Sequence, residues 1–185
     1  RRDPPPPERS LGIQIGAGLN TRLGGDTSGI PEDEPVGLAY GAGVWFAPDR
    51  LWSIGLSYQR LGLGGGETSV GENSISVQRD LDTFWLGGRA YPLRSDTMGL
   101  YVALALGASW QSVSASGSRD GGIGGVNPPQ AFACEASDGP GFALGGGVGL
   151  DVDMSRNVAF LAEVGGSGHQ LTSDPIEGCA PGSGS

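Results

Sequence analysis

No stretch of this chain approaches the ~18 consecutive apolar residues of a membrane-spanning helix, which excludes a helical span. Cysteine is held to 2 and histidine to 1. Cys134 and Cys179 have no partner Cys or His at useful spacing, which excludes zinc and redox motifs. His169 has Asp174 nearby but no nucleophile in a recognisable motif, so a catalytic pair fails and no enzyme is expected. The Gly-Gly-Gly runs at 64–66 and 145–147 lack a following helix and Lys-Ser/Thr pair, so they are not phosphate loops. Glu32-Asp33-Glu34 lacks the spacing of a calcium loop. A net charge of −9 excludes nucleic acid, whose phosphates demand Lys and Arg. No cofactor or metal is expected.

What is present is alternation. Seven runs place apolar residues on one phase and small or polar residues on the other. From Phe142 to Met154, Leu144, Val148, Leu150 and Val152 oppose Gly145, Gly147, Gly149, Asp151 and Asp153. The cleanest run sets Leu100, Val102, Leu104, Leu106 and Trp110 against Tyr101, Ala103, Ala105, Gly107 and Ser109. Others begin at Leu11, Val36, Trp52 and Val158. Each covers at least the ~9–11 residues of a tilted transmembrane strand. The fourth run is mixed: Ile75, Val77 and Leu81 share one phase, Phe84, Leu86 and Ala90 the other. A bulge between Asp80 and Thr83 reconciles them, and so does entry into the membrane only after Asp82.

The connections alternate in length. Residues 48–50, 94–98 and 155–157 are tight links; 24–35, 64–73, 115–139 and everything after 171 are long, with many of the carboxylates. This predicts an antiparallel meander with all long connections at one end, the plan of a transmembrane up-and-down β-barrel. Single-chain barrels of this class have an even strand number, and an open sheet in lipid leaves unpaired edges. Eight strands are therefore expected, with the last beyond Ser185; a strand donated by another chain is the alternative. Cys134 and Cys179 fall in long connections at one end, on the oxidising side, which predicts a disulfide.

Glycine, at 36 of 185 residues, sits largely on the small phase, as a narrow packed interior requires. Charges on that phase must be paired. Asp151, Asp153 and Glu163, with Arg89 and Arg22, are expected to form a network that plugs the lumen. Residues 1–10, with four consecutive prolines, read as a periplasmic extension, and 11–185 as the barrel domain. Phe46 and Trp52 near the short-turn end, with Tyr58, Trp110 and Phe142 nearer the loops, match the two aromatic girdles of such barrels. Trp45, Tyr91 and Tyr101 fall on the inward phase.

The stretch Thr83-Phe84-Trp85-Leu86-Gly87-Gly88-Arg89-Ala90-Tyr91-Pro92-Leu93 resembles the strand that ends at a periplasmic turn in small outer-membrane barrels of the OmpA/OmpX and opacity-protein type. The resemblance covers residues 11–171. It departs in two places: no aromatic-ended terminal strand and no peptidoglycan-binding domain follow. The resemblance implies a bacterial outer-membrane location and a structural role in anchoring, adhesion or scaffolding. Membrane lipid and envelope proteins, met through the outer loops or the Pro-rich N-terminus, are the implied partners. The rival readings are a soluble secreted β-sandwich or lipocalin-like ligand binder, and a narrow pore.

Overall fold

The structure, a computed structural model, describes residues 10–21, 36–70, 73–119, 130–155 and 158–171. Seven strands follow one another: β1 (Ser10–Thr21), β2 (Val36–Ala47), β3 (Trp52–Val70), β4 (Asn73–Arg94), β5 (Met98–Arg119), β6 (Gln130–Asp153) and β7 (Ala159–Gln170). They form one antiparallel sheet in sequence order, so each strand pairs with its neighbours in the chain. The short links are closed by local polar groups. Asp49 Oδ1 accepts from the backbone N–H of Leu51 at 2.6 Å and of Trp52 at 3.1 Å, and Ser95 N–H donates to the Met98 carbonyl at 2.7 Å. Ser10 already belongs to β1, one residue earlier than the expected boundary, and residues 1–9 lie outside the described part.

Two expected long connections are largely strand. β3 and β4 stay paired up to Val70 and Asn73, and β5 and β6 up to Arg119 and Gln130. Their Gly, Ser and Glu content reads as loop, yet cross-strand pairing needs only backbone groups. The expected connections at 24–35 and after 171 fall outside the described residues.

The sheet is open, because β1 and β7 are not paired with each other. It is also strongly curled. Arg89 on β4, the middle strand, reaches Gln14 on β1 and Glu163 on β7. Side chains on the two edge strands therefore converge on one guanidinium across the concave face.

The convex face is apolar. Among the described residues 29 large hydrophobic side chains are exposed, against 7 buried hydrophobic residues. Leu104 (69% exposed), Leu144, Val148 and Phe160 are typical. Burying each such side chain is worth ~1.5–3 kcal/mol, so a face of this extent demands an apolar medium or partner. The concave face carries Ser53, Thr83, Arg89, Ser109 and Gln111 among its buried residues.

The outward polarity changes toward the long-loop end. In β4 the outward phase changes from Leu86 and Phe84 to Asp82, Asp80 and Gln78, while the inward phase buries Leu81 and then Arg79. In β5 it changes from Leu106 and Trp110 to Ser112, Ser114 and Ser116 outside, with Val113 buried inside. The mixed fourth run is thereby resolved. β4 pairs with β5 in unbroken register from Ser74 to Ala90, so no bulge lies between Asp80 and Thr83. The apolar residues change face along a strand whose register does not slip. The register shifts sit elsewhere, at Gly62/Gly65 in β3, between Ala90 and Leu93 in β4, and opposite Ser109/Gln111 in β6. At the last of these Gly139 has φ +135°, a conformation that side chains rarely adopt.

Candidate functional site

The concave face is built in three tiers. The lowest is centred on Arg89, which is 7% exposed. Its Nη2 donates to Gln14 Oε1 at 2.7 Å and lies 3.8 Å from Glu163 Oε2. The same Glu163 oxygen accepts from the Tyr101 hydroxyl at 2.8 Å. The guanidinium carbon sits 3.8 Å from the Trp45 ring centroid and 4.8 Å from that of Tyr101. Arg89 thus joins β1, β2, β4, β5 and β7. Below it Tyr91 packs on Tyr101, with ring centroids 5.6 Å apart, and Arg94 covers Tyr91 at 4.6 Å.

The middle tier is a relay of neutral groups. Thr83 Oγ1 and Ser109 Oγ are 2.9 Å apart, and both residues are fully buried. Ser109 Oγ is 2.8 Å from His169 Nδ1, and Ser167 Oγ is 2.8 Å from Nε2. Trp85 meets the His169 ring edge-on at 5.7 Å and donates from Nε1 to Gln59 Oε1 at 3.1 Å. A Ser–His contact is the first half of a hydrolytic arrangement, but a fully buried serine offers no substrate access. The highest tier holds Leu61, Leu81 and Val113, with Gln111 and Arg79 buried beside them.

Glycines make room for the aromatic side chains. Trp45 stands directly opposite Gly55, Trp85 opposite Gly107 and Tyr101 opposite Gly149 in the strand register. A Cβ on Gly55 would lie 2.5 Å from Trp45 Cδ2, and one on Gly107 would lie 2.8 Å from Trp85 Cε3. A Cβ on Gly149 would overlap the Tyr101 ring. Each ring therefore occupies the space that its partner's missing side chain leaves.

Of the expected charge network, the structure brings together Arg89 and Glu163. Asp151 lies lower on the same face, in register with Gly99 and Leu161, and makes no ion pair with Arg89 among the described residues. Asp153 is exposed at the rim. Arg22 falls outside the described residues. Cys134 lies on β6 opposite Ala115 and is not a free cysteine, while its expected partner Cys179 falls outside the described residues.

Sequence reasoning missed Gln14, the caging of Arg89 by Trp45 and Tyr101, and the Thr83–Ser109–His169–Ser167 relay. Their inward phase was legible, but the curl that makes strands far apart in order meet was not. No family model, curated protein or solved structure matches this chain.

Proposed function

We propose that this chain forms a bacterial outer-membrane barrel with a plugged lumen, acting as a non-enzymatic structural component in anchoring, adhesion or scaffolding. The observation that carries this reading is the twofold polarity of the sheet. Below the level of Tyr58, Phe84, Trp110 and Phe142 it is apolar outside and polar inside; above that level the outside turns polar, and Leu61, Leu81 and Val113 are buried inside beside Arg79 and Gln111. A soluble sheet buries its apolar phase along its whole length, whereas a membrane barrel with projecting strands does so only beyond the lipid. From Met98 to Trp110, at about 3.3 Å per residue and a tilt near 40°, the apolar face climbs roughly 30 Å, against the ~25 Å band of such barrels.

Strand direction supports closure. β1 and β7 run the same way, so only a strand of opposite direction between them pairs antiparallel with both. An eighth strand in that seam removes both edges. The filled interior, with Tyr101 fully buried in the lowest tier and Thr83 and Ser109 in the middle one, favours the plugged barrel over the narrow pore.

Two measurements test this reading. The protein should partition into the detergent-extracted membrane fraction and give no stepwise conductance in a planar bilayer. Recovery from the aqueous fraction contradicts the membrane reading, and discrete conductance steps contradict the plug. Separately, a Cys134–Cys179 bridge predicts that the intact mass rises by one pair of hydrogens on reduction. Two thiols reactive to alkylation in the folded, untreated protein would exclude the bridge.

A further inference from the structure

The outward surface at the polarity boundary carries more than an apolar belt. Tyr58 and Phe84 stand opposite each other in register, with ring centroids 5.2 Å apart, and Phe84 meets Trp110 edge-on at 5.8 Å. Phe84 is 57% and Trp110 37% exposed. On the same outward face, toward the long-loop end, Arg60 and Asp82 stand one step further and Asp80 two. Arg60 Nη2 donates to Asp80 Oδ2 at 2.8 Å, Arg60 Nη1 lies 3.7 Å from Asp82 Oδ1, and the Tyr58 hydroxyl donates to that same oxygen. Gln78 Nε2 reaches Asp80 Oδ2 at 3.5 Å. Below the rings the outward face continues with Leu56, Leu86 and Leu106, all exposed.

We propose that this surface seats a neutral glycolipid, its sugar against Phe84 and Trp110 and its chains along Leu56, Leu86 and Leu106. The inference rests on the membrane reading above and adds the chemistry of the headgroup. Flat exposed rings match the apolar C–H face of a pyranose. Carboxylates accept from sugar hydroxyls while a guanidinium and an amide donate to them, so a polyol finds both halves of its hydrogen bonding within one patch. A phosphate finds only half. Two carboxylates surround a single guanidinium that they already engage, and a phosphate brought to it meets like charge. The patch therefore fits a sugar headgroup better than a phospholipid one. Attachment to a lipid, not a free saccharide, follows from the exposed row of Leu56, Leu86 and Leu106 directly below the rings, with Ile54 and Leu104 one step further down.

The test is native mass spectrometry of the protein in detergent, titrated with diglucosyl diacylglycerol, phosphatidylglycerol and phosphatidylcholine of matched chains. The glycolipid should bind about tenfold more tightly than either phospholipid. Trp110→Ala and Arg60→Gln should each abolish that preference, and Phe84→Leu, which keeps an apolar side chain but removes the ring, should do the same. Unfolding midpoints near wild type establish that the variants are folded. Equal binding of the three lipids identifies a generic interfacial belt and overturns the proposal. So does a phospholipid preference, or a glycolipid preference that survives all three substitutions. A protein that stays in water and retains no lipid overturns the membrane reading itself, a result distinct from equal retention.

Discussion

Arg89→Ala is expected to lower the unfolding midpoint in detergent markedly. Arg89 is almost fully buried and touches side chains from four other strands, including both edges of the sheet. Removing one partner of a buried pair typically costs ~3–5 kcal/mol. Glu163 is partly exposed, with its side chain 41% accessible, and keeps its bond from Tyr101, so the lower end of that range applies. The contacts with Trp45 and Tyr101 add to the loss, at about 0.5–2 kcal/mol for each cation–π pair. Arg89→Lys retains the charge but not the planar fork, so it should recover only part of the stability. An Arg89→Ala variant that unfolds like the wild type would mean that the lowest tier does not hold the edges together.

The second large effect is expected at a glycine. Gly149→Val places a branched side chain where the Tyr101 ring lies. Tyr101 is fully buried and bonded to Glu163, so it has no free direction in which to move. Overpacking of this kind costs ~1–3 kcal/mol, and displacement of the ring also removes the Glu163 bond. Combined with Tyr101→Ala, the substitution should be less than additive by ~0.5–3 kcal/mol, the range for residues in direct contact. Gly166→Ala on β7, where an added Cβ meets nothing within 4 Å, is the control and should shift stability by no more than about 0.5 kcal/mol. Equal losses at both positions would show that backbone freedom, not ring packing, fixes these glycines. Melting curves in detergent for both single variants and the double variant decide between the two.

The face of each strand was legible because side chains alternate with a period of two, and that period survives in the residues of β5 and β6 without any tertiary knowledge. The order and direction of strands were legible from connection lengths. Strand ends were not. At 64–73 and 115–139 both phases are small or polar, so composition gave no contrast between a paired strand and a loop. The mixed phase of β4 carried the change of face. Register, which depends on partners, excluded the bulge between Asp80 and Thr83. The charge site was half legible. Arg89, Asp151 and Glu163 were identifiable as inward charges, with Asp151 expected level with Arg89 and Glu163 a little higher, yet it is Glu163 that Arg89 meets. Gln14, Trp45 and Tyr101 were not identifiable, since nothing in β1, β2 or β5 alone marks which residues the curl brings to Arg89.

In the proposed barrel the sheet faces lipid below the aromatic belt and water above it. Nitroxide labels placed singly along β5 in bilayer-reconstituted protein, with the native cysteines left bridged or blocked, test it directly. At Val102, Leu104, Leu106 and Ala108 the labels should be readily relaxed by oxygen, which partitions into lipid, and little affected by a water-soluble nickel chelate. From Ser112 through Ser114 to Ser116 the order should reverse, and labels at the intervening Ala103 and Ala105 should be shielded from both agents. Chelate access at every outward position from Val102 to Ser116 would mean that no part of this face meets lipid, and would contradict the account.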